Sequence, residues 1–212
     1  MSLFITFEGT EGCGKSTQIK LLSEYLKERG VDTLLLREPG GTKLGERIRE
    51  ILLNVTDEPI DPYAELLLYG AARAQLVSSV IVGALEEGKT VLCDRFTDST
   101  LAYQGFARRL STDVVTEINE MATAGLIPDL TVILNIDPEE GLRRALKRID
   151  AAGGGEPAED RFEREAIEFH KRVRHGYHEI ARADPGRVKL VDGAGTLEEV
   201  RELVKGLVDT LL

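Results

Sequence analysis

The segment Gly9-Thr10-Glu11-Gly12-Cys13-Gly14-Lys15-Ser16 constrains this chain more than any other. It fits the pattern G-x-x-x-x-G-K-[ST], a loop whose glycines let successive backbone N–H groups turn inward onto phosphate oxygens. Such a loop belongs between a strand and a helix, and the flanks supply both. Leu3-Phe4-Ile5-Thr6-Phe7 reads as a buried strand, and Lys15 to Arg29 reads as a helix with apolar Ile19, Leu22 and Leu26. The helix N-terminus then faces the phosphates, and its dipole favours their charge. Lys15 adds a point charge, and the Ser16 hydroxyl suits Mg²⁺. Gly9, Thr10, Glu11, Gly12, Cys13, Gly14, Lys15, Ser16 and Thr17 are the expected ATP site.

Strand-like and helical runs alternate beyond the loop. The strands read as Leu3–Glu8, Thr33–Arg37, Thr90–Asp94, Leu130–Ile136 and Arg187–Val191, several of them near-continuous apolar runs of the kind a parallel sheet covered on both faces requires. Helix starts are marked at Asp137-Pro138-Glu139-Glu140 and by the capping box Thr196-Leu197-Glu198-Glu199. Tyr63 to Glu87 reads as one long helix stopped by Gly88. The expected fold is a single α/β domain over residues 1–212 with a parallel sheet. Ala151 to Asp160 is Gly-rich and interrupts two helical segments. It is either a tolerated surface insertion or a mobile lid, since arginines flank it: Arg143, Arg144 and Arg148 before, Arg161 and Arg164 after.

The formal net charge of −10 argues against a general nucleic-acid binder, which needs a basic field. An enzyme of polyanionic nucleotides must then concentrate its arginines locally. No run approaches the length of a membrane span, the N-terminus enters a strand directly, and the two cysteines (Cys13 in the loop, Cys93 in a strand) suggest no disulfide framework. The expectation is a cytoplasmic protein without membrane or nucleic-acid partner.

Asp94 ends a hydrophobic strand, where an acid faces the ligand crevice of an open α/β sheet and can hold Mg²⁺ beside Ser16. Arg95 follows, and its planar fork suits a second phosphate. Tyr69 and Arg73 share a helix face, which fits either base stacking or a core-edge tyrosine beside a surface arginine. His170, His175 and His178 match no zinc spacing and read as solvated. No guanine-specificity motif N-K-x-D and no G-x-S-x-G elbow occurs.

In order, Phe7-Glu8-Gly9 through Thr17, Arg37-Glu38-Pro39-Gly40-Gly41-Thr42, Leu68-Tyr69-Gly70-Ala71-Ala72-Arg73, Asp94-Arg95-Phe96, Ser99-Thr100-Leu101-Ala102-Tyr103-Gln104-Gly105, Pro128-Asp129-Leu130-Thr131, Arg148 and Asp160-Arg161-Phe162-Glu163 resemble the thymidylate kinase family over nearly the whole chain. The resemblance implies the three-layer sandwich of P-loop NTPases, a five-stranded parallel sheet with helices on both faces and a small lid near residues 143–164. It implies a homodimer that phosphorylates dTMP to dTDP with ATP and Mg²⁺. Lys15, Arg95, Arg148 and Glu11 would be catalytic. Glu38, Pro39, Tyr69, Arg73, Arg95, Ser99, Tyr103 and Gln104 would bind dTMP, with Tyr69 stacked on the base, Arg73 on its carbonyl, Tyr103 crowding the sugar 2′ position and Gln104 on the base edge. Ser16 and Asp94 would hold the metal. Family members carry a catalytic arginine either in the loop, where Gly12 stands here, or in the lid. Gly12 points to lid supply, with Arg148 matching and Arg143 and Arg161 sharing the segment. Two other readings fit the loop: a P-loop kinase with a different nucleotide or deoxynucleoside acceptor, and a catalytically silent nucleotide-binding protein.

Overall fold

A computed structural model describes residues 2–55, 58–151 and 161–212. Five strands form one parallel sheet: β1 Phe4–Glu8, β2 Thr33–Arg37, β3 Thr90–Asp94, β4 Leu130–Asn135 and β5 Val188–Asp192, in the order β2-β3-β1-β4-β5. Every expected strand is present, with boundaries shifted by no more than one residue at an end. Strand order reverses at β1, which pairs with β3 on one side and β4 on the other. The crevice at the strand carboxyl ends therefore opens at β1, directly above the phosphate loop.

β1 is buried along its whole length because helices cover both faces. Alternating side chains serve opposite layers. Ile5 and Phe7 pack with Leu22 and Leu26 of α1 (Lys15–Glu28) and Val200, Val204 and Val208 of α9 (Leu197–Asp209). Phe4 packs the other way, with Leu76 of α3 (Pro62–Leu76), Val77, Ile81 and Phe96. A third apolar cluster joins Tyr103, Phe162 and Ile133 to Phe169, Val173 and Tyr177 of α8 (Ile167–Ala183). The sheet thus lies between two helical layers.

Local sequence explains the helix ends. Asp61 accepts from the N–H groups of Tyr63 and Ala64, and Pro62 sits where no donor is needed. Thr196 and Glu199 form the expected capping box. Asp137 caps α7 (Pro138–Ala151) by accepting from Glu139 N at 3.0 Å. The helix expected from Tyr63 runs without a break from Pro62 to Glu86, but through a π-helical stretch, Val77–Ile81, into α4 (Val82–Glu86). Ser78 and Ser79 both turn their hydroxyls onto the Gln75 carbonyl there, competing with the regular ladder. Within Pro62–Glu86 an 18-residue window has a mean hydropathy of 1.4 and, by length and composition alone, could cross a membrane, contrary to the expectation that no such run exists. In the fold this helix buries Glu65 and Arg73 with charged partners. The Gly-rich segment 152–160, with Asp160 of the expected lid motif, lies outside the described residues.

Candidate functional site

β1 delivers the phosphate loop, and α1 begins at Lys15 immediately after it, with Gly14 left-handed at φ 98° as the N-cap. Lys15 Nζ donates to Gly9 O at 3.2 Å and Thr10 O at 3.1 Å, and approaches Cys13 Sγ at 3.5 Å, so its charge sits inside the loop. The parallel register pairs Phe7 with Asp94, bringing the end of β3 beside the start of α1. Ser16 Oγ consequently donates to Asp94 Oδ2 at 2.7 Å. A hydroxyl and one carboxylate at an open rim fit Mg²⁺, which keeps several waters and takes few protein ligands. Among the described residues no cluster of three or more His, Cys, Asp or Glu forms a caged metal site, so a metal here would depend on phosphate oxygens for its other ligands.

Arg95 is the most constrained side chain of the site. Its backbone is left-handed, φ 72°, an uncommon conformation for a non-glycine residue and one found where function imposes it. The side chain turns back under the loop. Nη1 donates to Gly9 O (3.0 Å), Ser99 Oγ (3.2 Å) and Tyr177 OH (3.3 Å), and Nη2 donates to Glu11 Oε1 (3.1 Å). Burial alone would lower its pKa, but Tyr103, Tyr177, Glu11 and Asp94 raise it well above the usual arginine range, so it stays charged.

Two carboxylates flank it with opposite electrostatics. Glu8 is fully buried and accepts from Phe96 N at 2.7 Å, Tyr177 OH at 2.9 Å and the Ser99 hydroxyl. Burial, reinforced by Asp98, pushes its pKa up to about 7 despite these donors and Arg95. Glu11 is also buried, and burial pushes its pKa up. The His170 hydrogen bond, Arg95 and Lys15 more than offset that and hold it at about 2. Tyr103 OH donates to Glu11 Oε1 at 2.5 Å, and the Arg95 guanidinium lies 4.9 Å from the Tyr103 ring centre.

Beside this frame opens a pocket lined by Glu11, Tyr69, Arg95, Ser99, Thr100, Tyr103, Gln104 and Phe162. Tyr103 and Gln104 come from a π-helical stretch, Leu101–Ala107, that continues α5 (Thr97–Thr100). Six sequence-selected residues therefore meet on one cavity. Arg73, Glu38 and Pro39 are not among its lining residues. Arg73 is 1% exposed, donating to Glu38 Oε2 (2.8 Å), Asn119 Oδ1 (2.7 Å) and Phe96 O (3.0 Å), which replaces the surface arginine allowed from sequence. Pro39 is buried and its carbonyl accepts from Arg49 at 3.0 Å.

The arginines expected in the lid differ from one another. Arg143 is exposed and bidentate to Glu140, with both contacts at 2.7 Å. Arg161 donates to Leu52 O and to Glu65 Oε2 (2.6 Å). Arg148 has 69% of its side chain exposed, and among the described residues its ion-pair partner is Glu163, at 4.0 Å. Gly12 has no room for any side chain: its φ is +69°, and a Cβ there would lie 2.0 Å from Gly141 O in the first turn of α7.

His170 departs from expectation. It is 1% exposed, and its Nδ1 lies 3.0 Å from Glu11 Oε2; because a carboxylate only accepts, Nδ1 carries the proton. His178 is half-buried and near Asn135 (3.2 Å), and His175 is exposed. The helical spacing of His170 to Val173 and Tyr177 already placed it on the apolar face of α8, a signal that metal-spacing rules do not use. Tyr177, Glu8, Phe162 and Glu65 were likewise not singled out as site residues.

The family model described as "Thymidylate kinase" matches residues 7–204. A protein named thymidylate kinase from Pelobacter propionicus is 52% identical over 204 residues, covering 96% of this chain and 92% of that protein. One from a Thermoanaerobacter species is 47% identical over 208 residues, covering 98% and 96%. The crystal structure of thymidylate kinase from Ehrlichia chaffeensis superimposes with a TM-score of 0.76 at 34% identity, covering 97% of this chain and 98% of that one.

Proposed function

The chain belongs to the thymidylate kinase family, and we propose that it transfers the γ-phosphoryl group of ATP to dTMP, giving ADP and dTDP. One observation carries the reading at residue level: Glu11 and Arg95 belong both to the phosphate-loop frame and to the pocket beside it. A donor site and an acceptor site with shared walls are what transfer between two bound nucleotides requires.

A dTMP phosphate oxygen attacks the γ-phosphorus in line as the bond to the bridging oxygen of ADP breaks. The attacking phosphate is largely dianionic at pH 7, with a second pKa of about 6, so no strong base is needed. Charge repulsion is the obstacle. Lys15 and the loop N–H groups hold the donor phosphates, Arg95 holds the acceptor phosphate, and Arg148 reaches the transferring group. Ser16 and Asp94 would hold Mg²⁺, which would supply charge neutralisation of the donor phosphates. Tyr69 stacks on the base, Tyr103 crowds the sugar 2′ position, and Gln104 meets the base edge. Arg73 reaches the base carbonyl with a remaining Nη1 hydrogen, and Glu38 fixes Arg73. Residues 143–164 act as the lid of a single catalytic domain, and closing it excludes water.

We further read the protein as a cytoplasmic homodimer. The two buried cysteines are unpaired, and Tyr63 and Leu67 stand exposed on the outer face of α3. A coupled ADP-release assay with dTMP, dUMP, dCMP, thymidine and AMP as acceptors tests the activity. The expected result is highest kcat/KM for dTMP. A preference for another acceptor, or ATP binding without acceptor-dependent ADP release, overturns it.

A further inference from the structure

We propose that Glu65 sets the base selectivity of the pocket by fixing which way round the Gln104 amide lies. The inference rests on reading the pocket as the nucleotide acceptor site. Glu65 is in the first turn of α3 and is fully buried. Its Oε1 accepts from Gln104 Nε2 at 2.7 Å and Arg108 Nε at 3.2 Å, and its Oε2 accepts from Arg108 Nη2 at 3.3 Å and Arg161 Nη2 at 2.6 Å.

A carboxylate held between two guanidinium groups has lone pairs and no proton to offer. The amide edge turned toward it must therefore be the NH₂ group. The alternative orientation would set the Gln104 carbonyl oxygen against a buried carboxylate oxygen, leaving both unsatisfied and repelling each other. Gln104 Oε1, with no hydrogen-bond partner among the described residues, is left as the acceptor for a ligand in the pocket that Gln104 lines.

A fixed acceptor discriminates between pyrimidines. Thymine and uracil carry a hydrogen on N3 and can donate to Oε1. Cytosine has a bare lone pair at N3 and an amino group where thymine has O4, so its pattern is inverted. Glu65 touches neither base nor phosphate; it is a positioning residue acting through Gln104. Arg108, packed 4.6 Å from the Phe169 ring centre, and Arg161 hold Glu65 in place.

The test measures kcat/KM for dTMP and dCMP in Glu65→Gln. The amide introduced by that substitution can donate to Gln104 Oε1, so the Gln104 amide is free to turn and present its NH₂ group to the base. The dTMP-over-dCMP ratio should fall by at least about tenfold, the scale on which a hydrogen-bonding mismatch discriminates substrates. Arg108→Gln removes a partner of the same buried network but leaves Glu65 facing Gln104, so its ratio should stay within about twofold of wild type even if the protein melts earlier. In a Gln104→Leu background, Glu65→Gln should change the ratio no further. A folded Glu65→Gln with an unchanged ratio overturns the proposal, as does an equal loss in Arg108→Gln. Should Glu65→Gln fail to fold, the wild-type protein with N3-methyl-dTMP supplies the reading: use as efficient as dTMP overturns the proposal, and a loss of at least about tenfold supports it. Wild-type turnover of dTMP reports separately on the proposed function.

Discussion

Arg95 and Arg148 are both assigned to the transferring phosphates, yet they stand in opposite states. Arg95 is held in a left-handed backbone, its guanidinium bound to one backbone carbonyl and three side-chain oxygens, in the frame shared by loop and pocket. Arg148 lies on the exposed side of α7, paired among the described residues with Glu163 at 4.0 Å. Under the proposed roles, the difference separates a pre-built half of the site from a half still to be recruited. Ordering Arg95 costs nothing at the moment of binding, because its neighbours have already fixed it. Arg148 must lose side-chain freedom as it engages, so it can respond to the presence of both substrates.

The pre-built half should fail hardest. Arg95→Ala removes the acceptor-phosphate fork and leaves Glu11 and Glu8 without their cation. We expect kcat/KM for dTMP to fall by at least about a thousandfold. Arg95→Lys should recover little of this, since a point charge does not reproduce the planar fork. Steady-state kinetics alongside a melting curve decides the matter. Activity within tenfold of wild type in a folded Arg95→Ala would make the cage architectural and erase the contrast.

Arg148→Ala should lower kcat by at least roughly a hundredfold while KM for dTMP changes little, the pattern of an interaction made mainly in the transition state. Arg143→Ala, whose guanidinium is already neutralised by Glu140, should stay near wild type. Loss of turnover in Arg143→Ala instead of Arg148→Ala would move the finger. An arginine in the loop should not substitute: Gly12→Arg in the Arg148→Ala background meets Gly141 O at 2.0 Å and carries a positive φ, so no rescue is expected. Recovered turnover would mean that α7 withdraws from the loop, and the recruited half would be larger than one side chain.

The two halves were also unequally legible in the sequence. All five strands could be read, because doubly covered parallel strands are near-continuous apolar runs. The loop, Ser16 and Asp94 could be read because their spacing and strand-end positions carry the chemistry. Tyr69, Arg73 and Gln104 gained roles only by resemblance, since an aromatic beside a polar residue on a helix has several uses. Glu65 was overlooked because its meaning lies in Gln104 and Arg161, 39 and 96 positions away. Glu8 read as a strand end and His170 as a solvated residue. Packing reveals that Glu8 accepts from Phe96 N, Ser99 and Tyr177, and that His170, whose spacing hinted only at burial, clamps Glu11.

The smallest expected effect concerns the floor of the pre-built half and falls on stability rather than turnover. Glu8 titrates at about 7 in the fold against 4.5 when free, so its contribution is fully present below pH 4.5 and is lost as pH rises through 7. Glu11, held at about 2, behaves oppositely: its contribution is present above 4.5 and is lost only as pH falls toward 2. The asymmetry matters to Arg95. With Glu11 ionised and Glu8 only partly ionised near pH 7, the cage carries less than two full negative charges, and positive charge remains for an acceptor phosphate. Glu8→Gln fixes the neutral form. Its unfolding free energy relative to wild type should therefore improve with pH between 4.5 and 8, on the order of 1–3 kcal/mol. Urea unfolding of both proteins across that range measures it. A difference that does not vary with pH would mean Glu8 is ionised throughout, and Arg95 would then be balanced by two carboxylates instead of one.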